Sequence, residues 1–338
     1  MRKILLGFCV AVLGLCMSAA VFSAEPQKAP ERPGLTPDAN LAGRKKIVFI
    51  SGHPSHGYAQ HEHYAGCMLL AKCLNESMPQ VYAEVWKYEW PADPHAFDNA
   101  AAIVIYCDGG GGHIAVKHMK ELGELMDKGV GLGCLHYGVE VQKGEVGDAF
   151  LKWIGGYFET FHSVNPHWVG HFTEFPKHDT ANGVKPFTTN DEWYYHMRFR
   201  PEMKDVTELL HAVPPDSTRK GKDDAHGGNP EVRAGIGKNL QETTAWVADR
   251  PGNGRGFGCT GGHFHFNWGC DSYRKAILNS IVWIAHVEVP KDGVNSKTPT
   301  VDDLLANLDP KKVDEKMKNG LEKQLEEMNG AKTAAASK

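Results

Sequence analysis

Several signatures that would name a chemistry outright are absent. No two cysteines stand in C-x-x-C spacing, which removes zinc knuckles, thioredoxin-type exchange and c-type haem attachment. No histidine pair has the H-E-x-x-H spacing of a metalloprotease helix. The four-glycine loop at 109–112 lacks both the G-x-G-x-x-G of a dinucleotide fold and the Lys-Ser/Thr of a P-loop, so it reads as a turn and no nucleotide is expected. Lys and Arg number 37 against 41 Asp and Glu, a net charge of -4. No basic surface therefore advertises nucleic acid. Past the first two dozen residues no apolar run approaches the ~18 residues of a membrane span.

What is present begins with a targeting signal. Arg2 and Lys3 precede an apolar run over residues 4–22, then small residues and the Ala24-Glu25-Pro26 junction, the layout of a cleavable signal peptide over 1–24. Cleavage near Ser23 or Ala24 removes two bases and no acid, so the mature charge is -4 - 2 = -6. The chain is expected to be periplasmic or secreted, with no membrane association after processing; an uncleaved anchor is the alternative, because the run is close to spanning length. Leu15 before Cys16 argues against a lipoprotein. Residues 25–44, rich in Pro, Ala and charge, read as a linker. Cys9 and Cys16 leave with the signal, and six cysteines remain at 67, 73, 107, 134, 259 and 270. Export permits disulfides, yet a chain of this size does not require them. Cys67 and Cys73, six apart on one predicted helix, face different ways and should not pair with each other.

From residue 45 to 290 the pattern is that of one domain. Residues 46–50 read as a strand that breaks into a loop, 51–57, dense in turn residues and carrying His53 and His56. A helix follows over 61–74. Strands are expected at 81–86 and 102–106, the second ending at Asp108 and the glycine loop before a helix over 114–126. Residues 130–135 form a short, glycine-spaced, buried strand that ends at His136 and Tyr137. Alternating β and α segments imply a parallel sheet covered by helices. In such sheets the ligand crevice lies beyond the carboxyl ends of the strands, where His136 stands.

Residues 150–213 are aromatic and strand-like. Within 191–199, alternation puts Trp193, Tyr195, Met197 and Phe199 on a core face, and Glu192, Tyr194, His196 and Arg198 on a chemically loaded one. A solvated face with a single ion pair is the bland alternative. The turn-rich stretch 214–235 suggests a surface loop or lid. Strands at 243–248 and 254–260 follow, the latter running into a second histidine loop with His263, His265 and Trp268, and a helix over 273–285 closes the domain. The tail, 291–338, reads as a charged helix followed by disorder and is left out of the site.

These motifs resemble the ThuA-like (trehalose-utilisation) family over residues 46–290. The matching positions are Gly133 to His136, Gly155-Gly156-Tyr157-Phe158, Asp191-Glu192-Trp193-Tyr194, Gly254-Arg255-Gly256-Phe257, Gly262-His263, Asn279 and Trp283. His56 with His61-Glu62-His63 looks like an exported branch. The resemblance implies the class I glutamine amidotransferase-like fold: a flavodoxin-like, doubly wound, mainly parallel sheet with helices on both faces. Amidotransferases of that fold place a cysteine at the strand-to-helix elbow as Cys-x-Gly, where this chain has His136-Tyr137-Gly138. Cys134 lies inside the strand, and a buried apolar thiol is inert.

The resemblance also implies carbohydrate chemistry beside dehydrogenases that make 3-keto-glycosides. A ketone acidifies the neighbouring C–H, so a histidine base can start an elimination. The expected catalytic residues are His136 as base, His263 or His56 as acid, and Glu192. Tyr194, His196 and Arg198 would orient hydroxyls, Tyr137 and Asp108 would line the site, and Trp268 would stack on a sugar ring. His56, His136 and His263 are the candidate ligands of a divalent ion such as Zn²⁺, set against the plainer reading of ordinary strand-end histidines; Glu140 and His265 belong to the same convergence. His61 and His63, two apart on a helix, are expected to face apart. Two rivals stand: a two-carboxylate glycoside hydrolase using Asp108, Glu140 or Glu192, and a non-catalytic carbohydrate-binding protein.

Overall fold

A strand buried on both faces needs apolar residues at successive positions, and Ile47, Val48, Phe49 and Ile50 are all fully buried. Each such side chain contributes ~1.5–3 kcal/mol of burial, which fixes this segment as an interior strand, between Val81–Trp86 and Ala100–Tyr106. The computed structural model describes residues 43–330, so the expected signal, most of the linker and the end of the tail lie outside the described residues. In chain order the elements are β1 (Lys45–Ser51), α1 (His63–Ser77), β2 (Val81–Trp86), β3 (Ala100–Tyr106), α2 (Met119–Asp127), β4 (Gly131–Leu135), α3 (Glu145–Ile154), β5 (Gly156–Tyr157), β6 (Trp168–Phe172), β7 (Phe187–Asp191), β8 (Arg198–Phe199), β9 (Val206–Ala212), α4 (Pro230–Ala234), β10 (Glu242–Arg250), β11 (Gly254–Cys259) and α5 (Asp271–Ile284). The tail adds α6 (Val301–Leu305), α7 (Glu315–Asn319) and α8 (Leu321–Gly330).

Seven strands make one sheet in the order β2-β1-β3-β4-β11-β10-β9. β2, β1, β3, β4 and β11 are mutually parallel, while β10 runs antiparallel to β11 and β9. This is the expected doubly wound, flavodoxin-like sheet. α1 and α5 share one core layer with Phe49, Val104 and Phe257, and α2 and α3 share the other with Val48, Ile103 and Leu132. Two glycines set the spacing. A Cβ on Gly131 would collide with the Ile284 carbonyl at the end of α5, and one on Gly256 with the Trp153 carbonyl in α3, so both helices approach the sheet more closely than any side chain would allow. Strand order reverses between β1 and β3, which opens a crevice beyond their carboxyl ends.

Departures from the sequence reading have local causes. The helix expected over 114–126 is one tight 3₁₀ turn, Val116–His118, followed by α2, and the glycine loop before it holds another, Gly110–Gly112. Alternation along 191–199 holds to Tyr195 and then fails: Trp193 and Tyr195 pack in one layer, but Met197 and Phe199 join Tyr194 in the other. His196 has φ +54, and a left-handed residue turns the chain over. The tail carries three short helices, with Leu304 and Leu321 fully buried. Its Asp309 N–H donates to Glu62 at 2.8 Å and Lys311 lies 3.2 Å from the same carboxylate, so the segment set aside from the site buttresses one of its loops. Among the described residues no helix is long and apolar enough to cross a membrane, and the six cysteines are buried free thiols.

Candidate functional site

The site is assembled from loops after β1, β3, β4, β7 and β11. His136 follows β4 directly with φ +51, a backbone state that costs a non-glycine residue ~1–3 kcal/mol and persists only where its surroundings fix it. One fixing contact is its Nδ1–H, which donates to the Thr260 carbonyl at 2.7 Å. A neutral ring so held keeps its lone pair on Nε2. That nitrogen lies 3.0 Å from His61 Nε2, 3.3 Å from the Tyr194 hydroxyl and 3.4 Å from Glu192 Oε2.

His61 is not on α1; it lies two residues before the helix, with φ +47. Its Nδ1–H donates to Asp108 at 2.7 Å, so its Nε2 also presents a lone pair, 3.0 Å from both His136 Nε2 and His263 Nδ1. His263 Nδ1 in turn stands 3.1 Å from Glu192. Two lone pairs facing each other at 3.0 Å repel unless positive charge lies between them. Burial first, then the surrounding His136, His63, His56 and His263 rings, push the His61 pKa far below the ordinary histidine value. Burial opposes charge on Glu192, yet hydrogen bonds and electrostatic attraction from the His136 and His263 rings outweigh it and hold its carboxyl below the usual carboxylate range.

Asp191 positions the second histidine loop. Fully buried, its carboxylate accepts from the Gly262 N–H at 2.9 Å, the His263 N–H at 3.0 Å and the Asn267 amide at 2.9 Å. The mouth of the site is more open. His56 stacks on His61 with centroids 3.5 Å apart, and His167 lies 4.8 Å from His263. Burial lowers the pKa of both. From the 214–235 stretch, His226 reaches Glu140 at 3.0 Å and packs beside Tyr137 and Phe158, so part of this stretch lies against the same end of the sheet. The Glu140 bond raises the His226 pKa.

Of the residues singled out in the sequence, His136, His263, Glu192, Tyr194 and Asp108 come together. Others do not. Trp268 is fully buried and stacked on Tyr273, so it is core and no sugar platform. Arg198 is spent on Glu159, at 3.0 and 3.1 Å. His196 joins His162 and Glu231 in a separate group. His265 is buried and bound to the Leu304 carbonyl. The place expected for His56 among the central nitrogens is taken by His61, while His56 forms a second set with His61 and Asp108. Sequence reasoning missed His61, Asp191 and His167; the apolar period of α1 begins only at Tyr64, which was the available sign that His61 precedes the helix.

Cys134 is fully buried inside β4, and burial, with Cys107 beside it, raises its thiol well above the ordinary value. A Cys134→Ala protein should keep the wild-type rate on whatever substrate the chain turns over. Loss of all activity in a folded variant would reinstate cysteine chemistry.

A doubly wound α/β protein with imidazoles clustered at the carboxyl ends of its central strands is the class that fold and site define. The profile of the ThuA family, described as trehalose utilisation, matches residues 46–284, and the chain belongs to that family. Among solved structures it is similar to a ThuA-like protein from Parabacteroides merdae, at 14% identity and TM-score 0.50 over 76% of this chain and 94% of that one. One from Bacteroides uniformis is 15% identical, TM-score 0.49, over 75% and 94%. A glutamine amidotransferase from Thermotoga maritima is 11% identical, TM-score 0.36, over 84% and 98%. No curated protein matches the chain.

Proposed function

We propose that this chain is an exported carbohydrate-processing enzyme of the ThuA family, acting on glycosides that carry a ketone at C3 by elimination or hydrolysis. The observation that carries the reading is the imidazole cluster at the switch-point crevice, with exposed His56 and His167 at its mouth. The 3-keto group acidifies the C2–H; a base takes that proton, the C1–C2 double bond forms, and the C1–O bond breaks with its electron pair on the leaving oxygen, which is then protonated. Rings whose pKa lies below the ordinary histidine value are unprotonated at neutral pH and suit the first step, so the reading gives it to His56 or His167. His136 is fully buried and serves as the centre of the cluster. In this reading Glu192 and Tyr194 would hold hydroxyl or carbonyl oxygens of the sugar.

The test is a panel of disaccharides, each offered unoxidised and as its 3-keto form, 3-keto-trehalose included. Turnover confined to the keto forms is the expected result. Equal rates on unoxidised glycosides would transfer the reaction to a two-carboxylate hydrolase, and saturable binding with no turnover would make the chain a carbohydrate-binding protein.

A further inference from the structure

We infer that His61 Nε2, His136 Nε2, His263 Nδ1 and Glu192 Oε2 form a divalent-metal centre. The inference deepens the proposed reading of this site but stands on geometry alone. The four atoms lie within 4.8 Å of one another, and four of their separations are 3.0, 3.0, 3.1 and 3.4 Å. An ion bonded at ~2.0–2.1 Å in a tetrahedral site separates its ligands by about 3.3 Å. Hydrogen bonding gives a poorer account of the same atoms. The Nδ1–H groups of His136 and His61 are committed to Thr260 and Asp108, so their Nε2 lone pairs point at each other. The His136–His61 line needs a proton that neither Nε2 carries, and a hydrogen on His263 Nδ1 can serve His61 Nε2 or Glu192 but not both. A cation satisfies all of them together.

The surroundings have the second layer that a metal site uses. Asp108 on His61 is the carboxylate–histidine pairing, and the Thr260 carbonyl on His136 is its backbone equivalent; both fix the tautomer that frees the ligating nitrogen. Asp191 holds the backbone of His263. Three imidazoles and one carboxylate suit Zn²⁺ or a neighbouring first-row ion better than Mg²⁺ or Ca²⁺, which favour all-oxygen sets. Glu192, the most accessible of the four at 14% side-chain exposure, is the vertex facing the mouth, where a sugar oxygen could join. Such an ion would polarise the ketone beside the C–H to be broken. The His162, His196 and Glu231 group is more exposed and serves as the internal control.

The test uses the full mature chain, stripped with a chelator and titrated with Co²⁺ and Zn²⁺ alone, with ion content by mass spectrometry and the visible d–d bands of Co²⁺ as readouts. One ion is expected that His196→Ala retains. His61→Ala and Glu192→Gln should lose it, and Asp108→Asn should weaken it by the ~10–100-fold typical of an outer partner. The inference is overturned if the folded wild type takes up no stoichiometric ion, if affinity is unchanged in both His61→Ala and Glu192→Gln, or if the bound ion is lost only in His196→Ala. Since no sugar enters the measurement, a bound ion without keto-glycoside turnover would sink the proposed function alone. Undiminished turnover in metal-free protein would sink the metal centre's part in it.

Discussion

A His136→Ala protein is expected to lose ~10²–10⁴-fold in kcat/KM on whatever substrate the wild type turns over, the range by which a positioned acid–base or ligand group contributes. The variant should still fold. Removing the ring leaves the Thr260 carbonyl short of one donor, a cost of ~1–3 kcal/mol, and alanine inherits the left-handed backbone strain at this position. His136→Asn is the companion, because asparagine tolerates that conformation better than alanine. Rates would be read beside circular dichroism and the unfolding midpoint. A folded His136→Ala protein within tenfold of wild type would remove the histidine from the centre of the site.

Asp191→Ala should be the most damaging single exchange for stability among the site loops. It strips acceptors from the Gly262 N–H, the His263 N–H and the Asn267 amide, all around a side chain with no exposed surface. At ~1–3 kcal/mol for each buried donor left unpaired, a loss of about 3 kcal/mol or more is expected. Asp191→Asn keeps one accepting oxygen and should cost less. Denaturant midpoints at constant slope would measure both. The activity of whatever Asp191→Ala protein remains folded should fall as well, since the loop that presents His263 loses its anchor. A loss below about 1 kcal/mol would show that the loop holds itself without the carboxylate.

How much of this was readable before any coordinates depends on the range over which each signal acts. Strand and helix periods are local: 46–50, 81–86, 102–106 and 254–260 are strands as expected, within a residue or two at their ends. The glycines at 131 and 256 showed close packing without saying against what; the Ile284 and Trp153 carbonyls answer that. Alternation along 191–199 was legible until His196, because a residue with positive φ reverses the facing of everything after it. His61 was misread for a similar reason: a helix drawn two residues too early put it on a face turned away from His63.

By itself, the sequence determined the doubly wound class, the family and the position of His136 at the end of the central strand. Those follow from local periodicity, from glycine where helices press on the sheet, and from motifs that each span only a few residues. The membership of the site was decided only in three dimensions. His61 and His263 are separated by 202 positions and meet at 3.0 Å, and the lone pairs left facing each other depend on Thr260 and Asp108, which are set by how five loops converge. Burial likewise separated Glu192 at the crevice from Trp268 in the core, since exposure is a property of packing that no residue type carries along the chain.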